Sequence, residues 1–213
     1  MLVFFLFVAE EGFLHLVEGG AFVGEVFGAL VGTGVVAHFF GQEGASERRE
    51  FVDSAIVFNG IIAALYVVLA YIFAPISYGP VQARIAECMT IFPAFSWGTI
   101  PGVTLGCLIA NLINPENLGP VDIIGGTLAT LMAGVLSYIL GKKIKWLGLI
   151  PPVIVNGIVV GGYLSFLILD SVTAGGILFT MLTVAAGELA VMIVIGAPLI
   201  AIIDKTGLGK KLP

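Results

Sequence analysis

The chain has 213 residues, 59% of them hydrophobic and 11% charged, with a net charge of −5 and a mean hydropathy of +1.12. A soluble core of this size does not need so much apolar sequence, and the long uncharged runs are of bilayer-crossing length. These properties exclude a water-soluble enzyme or nucleic-acid-binding module and place the chain among all-α polytopic membrane proteins, because open sheets leave backbone groups unsatisfied in lipid and the period-two alternation of a membrane barrel is absent.

Residues 1–50 differ from the rest. Seven glutamates, Glu10, Glu11, Glu18, Glu25, Glu43, Glu47 and Glu50, are interleaved with glycine, phenylalanine and valine. No positively charged n-region of a signal peptide is present. This stretch reads as an atypical N-terminal extension, with three readings left open: an interfacial helix, an unstructured segment or an over-called translation start. GQEGASERRE, residues 41–50, reads as a polar linker.

Residues 51–213 read as one membrane domain of six helices. The first span covers 54–73. The loop APISYGPVQ follows, then a short second helix from Arg84 that stops before Pro93, since the residue preceding proline disfavours helix. The third covers 97–113, and NPENLGP is a turn-rich loop. The fourth runs over 121–140 and is followed by the charged loop GKKIKW. The fifth, 152–169, starts at a proline, which the first turn tolerates. The sixth, 173–203, is long enough to tilt or to kink near Pro198. With six spans, Arg48, Arg49, Lys142, Lys143, Lys145, Lys205, Lys210 and Lys211 all fall on one side, whereas the opposite loops carry Glu116 and Asp170. The positive-inside rule then puts both termini in the cytoplasm. The ninth basic residue, Arg84, stands apart, beside the first external loop.

That exception marks the stretch with the most chemistry, 74–93. It packs Gln82, Arg84 and Glu87 between two apolar runs. An ionisable group at mid-bilayer costs about 2.5–3.5 kcal/mol on insertion scales, so it has a partner or a ligand. Arg84 and Glu87 are three apart and share a helix face. Glu188 sits at the centre of the sixth span and is protonated, paired with Arg84 or a ligand acceptor. Asn156, after the double proline of PPVIVNG, offers both donor and acceptor. Asn111 does the same or caps its helix, and Asp122 reads as a carboxylate favoured by a helix N-terminus. Tyr66, Tyr71, Tyr78, Phe92, Phe95, Trp97 and Tyr163 are stacking candidates or belt residues. Small residues repeat every fourth position at Gly125, Ala129, Ala133 and Ser137, at Gly157 and Gly161, and at Gly60 and Ala64, which lets helices approach closely in lipid. The first two stripes read as internal packing, and the third is open to another protein.

No catalytic pattern emerges. The sequence lacks GxxxxGK[ST] and HExxH. His15 and His38 match no metal-ligand spacing, and Cys88 and Cys107 read as small buried residues. No cofactor is implied.

GPVQARIAE, taken with AALYVVL before it and PPVIVNGIVVGG after it, resembles the QueT family, substrate-binding S components of energy-coupling-factor (ECF) transporters assigned to queuosine precursors. APISYGPVQARIAE stands close to the family pattern APISFGPIQFRISE. IPGVTLGCLIANL, DIIGGTLATL and the GEL of the last span agree in order, over residues 54–204. The resemblance implies a subunit that captures a vitamin-like substrate from outside and docks onto a membrane T component driven by two cytoplasmic ATPases. It implies docking through small residues of the first helix, here Gly60, Ala63 and Ala64. It implies a 7-deazaguanine ligand, met by Glu188 or Glu87 as acceptor, by Gln82, Asn111 and Asn156 on the remaining edge, and by Arg84 on a carboxylate or ligand carbonyl. The alternatives are a self-contained secondary carrier, in which the glutamates titrate, and a membrane scaffold or enzyme, in which the polar residues pair only with each other.

Overall fold

The computed structural model describes residues 45–77, 83–114, 118–169 and 171–213, with side chains from residue 54 onward and at Val52. The described chain is all-α. Most of the N-terminal extension, with both histidines, and Tyr78, Gln82, Glu116 and Asp170 lie outside the described residues.

Helix α1 runs Ala45–Ile72. It begins nine residues before the expected 54, inside the stretch expected to be a linker. The reason lies in ASERRE, whose Ala, Glu and Arg are good helix formers despite their polarity. A single turn, α2 (Ala74–Ser77), follows. The expected short second helix is a 3-10 helix, Ile85–Ala94, with Pro93 inside it. The rule that stops an α-helix before proline rests on α geometry, and a closing 3-10 turn has no i−4 rung there to lose.

A 3-10 turn, Trp97–Thr99, is capped by Ser96, whose hydroxyl accepts from the Gly98 amide at 3.2 Å. It leads into α3, Ile100–Ile113, which has Pro101 in its first turn. Helix α4, Pro120–Gly141, opens on a proline after Gly119, whose φ of 94° suits glycine. The expected fifth span is a composite: a 3-10 turn (Lys145–Leu149), α5 (Ile150–Val155), a π segment (Asn156–Val160) and α6 (Gly161–Ile168). The sixth combines α7 (Ala174–Val191), a second π segment (Met192–Gly196) and α8 (Ala197–Thr206). The irregularity expected near Pro198 is that π segment. It displaces the i−4 carbonyl that the proline ring would otherwise strike. Gly207, at φ 67°, ends α8.

Six spans were expected, but four helical stretches among the described residues are long and apolar enough to cross a bilayer: Ser54–Ile72, Pro120–Gly141, Lys145–Ile168 and Ala174–Thr206. The other two, Ile85–Ala94 and Trp97–Ile113, are shorter. The ten residues of the first, at about 2.0 Å rise each, reach roughly 20 Å, against about 30 Å of hydrocarbon. The molecule is a multi-pass membrane protein. Its outward faces are apolar, with Val57, Ile61, Leu128, Met132, Leu182 and Ile193 among the exposed side chains. Its interior holds Asn59, Glu87, Asn111, Asp122, Thr130, Asn156 and Glu188.

Close helix contacts fix that interior. Helix α1 packs on α3 through Gly106, where an added Cβ would stand 2.6 Å from the Tyr66 Cβ. Asn59 ties the same pair together. Its amide donates to the Ala55 and Gly98 carbonyls at 2.8 and 2.7 Å, and its oxygen accepts from the Gly102 N–H at 2.7 Å. In α4, Ala129 and Ala133 are fully buried against Val155, Val160, Leu164 and Val184. The Ser137 hydroxyl donates to the Gly148 carbonyl at 2.9 Å. Gly157 and Gly161 lie against Ala185 and Met181 of α7. Both of these small-residue stripes therefore serve internal packing.

Candidate functional site

The 3-10 helix Ile85–Ala94 turns Arg84 and Glu87 inward together, because residues three apart eclipse in that geometry. Arg84 is its N-cap, and both side chains are buried. Around them stand Tyr66 of α1, Cys107 and Asn111 of α3, Asp122 and Thr130 of α4, Tyr163 of α6 and Glu188 of α7. Asn156 is the first residue of the π segment in the fifth span.

Glu87 is anchored on one oxygen. Its Oε1 accepts from the Tyr66 hydroxyl at 2.6 Å and from the Thr130 hydroxyl at 2.8 Å. Thr130 also lies 3.2 Å from the Cys107 Sγ, and the Asn111 amide lies 3.5 Å from the same sulfur. Arg84 reaches Asp122, with Nη2 to Oδ1 at 3.9 Å. The Tyr163 hydroxyl donates to that Oδ1 at 2.8 Å, and the Leu118 amide approaches Oδ2 at 3.4 Å. Gly126 permits this convergence. A Cβ there would stand 2.8 Å from Asn111 Nδ2 and 3.4 Å from both Arg84 Nη1 and the Tyr163 hydroxyl.

A second group of polar atoms has no hydrogen-bond partner among the described residues. It comprises Oε2 of Glu87, both carboxylate oxygens of Glu188 and both amide atoms of Asn156. All three residues are 0% exposed. Glu188 sits near Glu87, Arg84 and Asn156. Buried polar atoms are ordinarily satisfied, and leaving one unpaired costs about 1–3 kcal/mol, more when charged. Such a set converging on one place has the donor and acceptor chemistry of a small-molecule site. Asn156 belongs to a π segment and Glu188 lies one turn before the other, and such distortions recur at functional sites.

Of the residues singled out in the sequence, Arg84, Glu87, Asn111, Asn156 and Glu188 come together here. Gln82 lies outside the described residues. Pairing with Arg84 was one of three readings open for Glu188; the ion pair of Arg84 is with Asp122. A carboxylate in the first turn of α4 keeps its favourable place at the helix N-terminus and faces the guanidinium as well. Tyr66 and Tyr163 line the site, whereas Tyr71 and Trp97 are exposed on the outside. Thr130 and Gly126 carried no expectation. The paired glycines of DIIGG were a usable signal for Gly126, and a lone threonine in an apolar helix gives none. Of the expected docking residues, Ala63 is 1% exposed and lies against Gly106, while Gly60 and Ala64 are half-buried at the helix margin. Among the described residues no cluster of three or more His, Cys, Asp or Glu is placed to hold a metal ion.

A family model described as QueT transporter matches residues 56–205. A curated relative, the queuosine precursor transporter QueT of Lactococcus lactis subsp. cremoris (strain MG1363), is 38% identical over 92 residues, covering 42% of this chain and 53% of the relative. The chain thus spans about half the length of the curated relative it matches. No solved structure matches it.

Proposed function

The chain belongs to the QueT transporter family, and on that premise we propose that it is the substrate-capture subunit of an ECF-type importer, taking up a queuosine precursor of the 7-deazaguanine class. The observation that carries this reading is the buried set of unpaired acceptors and donors on Glu87, Asn156 and Glu188. A 7-deazaguanine presents an N1–H and an exocyclic amine side by side, which a carboxylate accepts as a pair. Asn156 and Asn111 read the remaining edge, Arg84 takes the ring carbonyl, and Tyr66 and Tyr163 flank the planar face.

In this reading the four long stretches cross the bilayer, the two short helices pack among them, and both termini lie in the cytoplasm. Gly60 and Ala64 offer the docking surface for a membrane T component, to which two cytoplasmic ATPases supply the energy. No cofactor and no catalysis are required of the chain itself. Reconstitution into proteoliposomes tests the proposal. Uptake of the deazaguanine is expected only with the T component and ATPases present and ATP inside. Uptake by the chain alone, driven by a proton or sodium gradient, would establish the secondary carrier instead.

A further inference from the structure

Resting on the capture reading above, we propose that the two glutamates have separate tasks, Glu188 reading the base edge and Glu87 neutralising an ammonium on the ligand, so that the site selects a cationic, aminomethyl-bearing deazaguanine over a neutral one. The asymmetry between the two side chains carries the assignment. Neither oxygen of Glu188 has a partner at hydrogen-bond geometry among the described residues, the Asn156 amide lying nearby. A carboxylate with two open oxygens matches two parallel N–H donors, as on the guanine-type edge. Glu87 has one oxygen held by Tyr66 and Thr130 and only Oε2 open. One open oxygen cannot make the two-pronged contact, but it can accept from a compact ammonium.

The charge balance agrees. Among the described residues, the carboxyl groups of Glu87, Glu188 and Asp122 gather around one guanidinium, that of Arg84. Asp122 is already engaged by Arg84, Tyr163 and the Leu118 amide. Carboxylates in excess of cations in a buried site favour an arriving positive charge. Glu87 is the carboxylate placed to receive it, since Glu188 is matched to the base.

The test is equilibrium binding of the full detergent-solubilised chain to 7-aminomethyl-7-deazaguanine and to 7-cyano-7-deazaguanine, which share a base edge and differ in charge. The wild-type chain is expected to favour the amine by at least about tenfold, the scale of one charge-assisted hydrogen bond. Glu87→Gln keeps an oxygen for Tyr66 and Thr130 and removes the charge. It is expected to bring the ratio of the two affinities to within about threefold, with the cyano compound's own binding reporting that the variant is folded. Glu188→Gln is expected to weaken both ligands by a similar factor and leave the ratio intact. Equal affinity of the wild type for the two compounds, or a Glu87→Gln variant that retains the wild-type ratio, would overturn the division of tasks while leaving capture standing. Binding of neither compound by folded protein would overturn the capture reading itself.

Discussion

Tyr66 of α1 and Thr130 of α4 direct their hydroxyls at the same oxygen of Glu87. This holds the carboxylate in one orientation and leaves Oε2 free to act. Tyr66→Phe removes a hydrogen bond to a buried carboxylate and is expected to lower stability in detergent by about 1.5–3 kcal/mol, read as a fall in the thermal midpoint. Unchanged stability would mean the pair is not formed. Asp122→Ala leaves the Arg84 guanidinium buried without its carboxylate and is expected to cost about 3–5 kcal/mol, measurable by the same melt. Glu188, Glu87 and Arg84 were legible in the sequence because ionisable side chains stand out against apolar runs. Asp122 was not legible as a site residue, because at a helix start its dipole role already explains it. Thr130 was hidden because a threonine in a membrane helix can bond its own backbone.

At the scale of elements, the site depends on helices that depart from α geometry. The 3-10 helix puts Arg84 and Glu87 on one line, and the π segments lie at Asn156 and one turn beyond Glu188. No sequence period announces a 3-10 or π stretch, so only the span positions and the glycine stripes could be read beforehand. The start of α1 was misplaced for a related reason: the polarity of ASERRE suggests a linker, while its residue types favour helix. Gly106 is the tightest point between α1 and α3 near the site. Gly106→Ala would set a methyl group 2.6 Å from the Tyr66 Cβ. It is expected to cost about 1–3 kcal/mol by overpacking and to weaken ligand binding by shifting Tyr66 from Glu87. Gly60 is the contrasting case. It has nothing within 4 Å of an added Cβ, so Gly60→Leu is expected to change stability by no more than about 1 kcal/mol. It should leave ligand affinity intact and, on the docking proposed above, abolish co-purification with a membrane T component. Normal co-purification would remove Gly60 from the docking face.

The whole molecule inverts the pattern of a soluble protein, with aliphatic side chains outside and carboxylates, amides and a guanidinium within. In lipid the outward face needs no cover, while every interior polar atom needs a partner. The basic residues outside the site gather at the start of α1, at 142–145 and in the tail, the pattern from which the proposed orientation is drawn. Cys88 and Cys107 are both buried, so single cysteines can be placed on this background for labelling in intact cells. A cysteine at Leu118 is expected to react with a membrane-impermeant maleimide from outside. One at Lys143 is expected to react only after the membrane is opened. The reverse pattern would invert the topology.

The central claim, capture of a deazaguanine without energy, is tested most directly by titrating the purified, detergent-solubilised chain with a panel of 7-deazaguanine bases, using riboflavin and biotin as controls. Saturable binding of a deazaguanine at submicromolar concentration, without ATP or any partner and with neither control bound, is the predicted result. Folded protein that binds no member of the panel would contradict it.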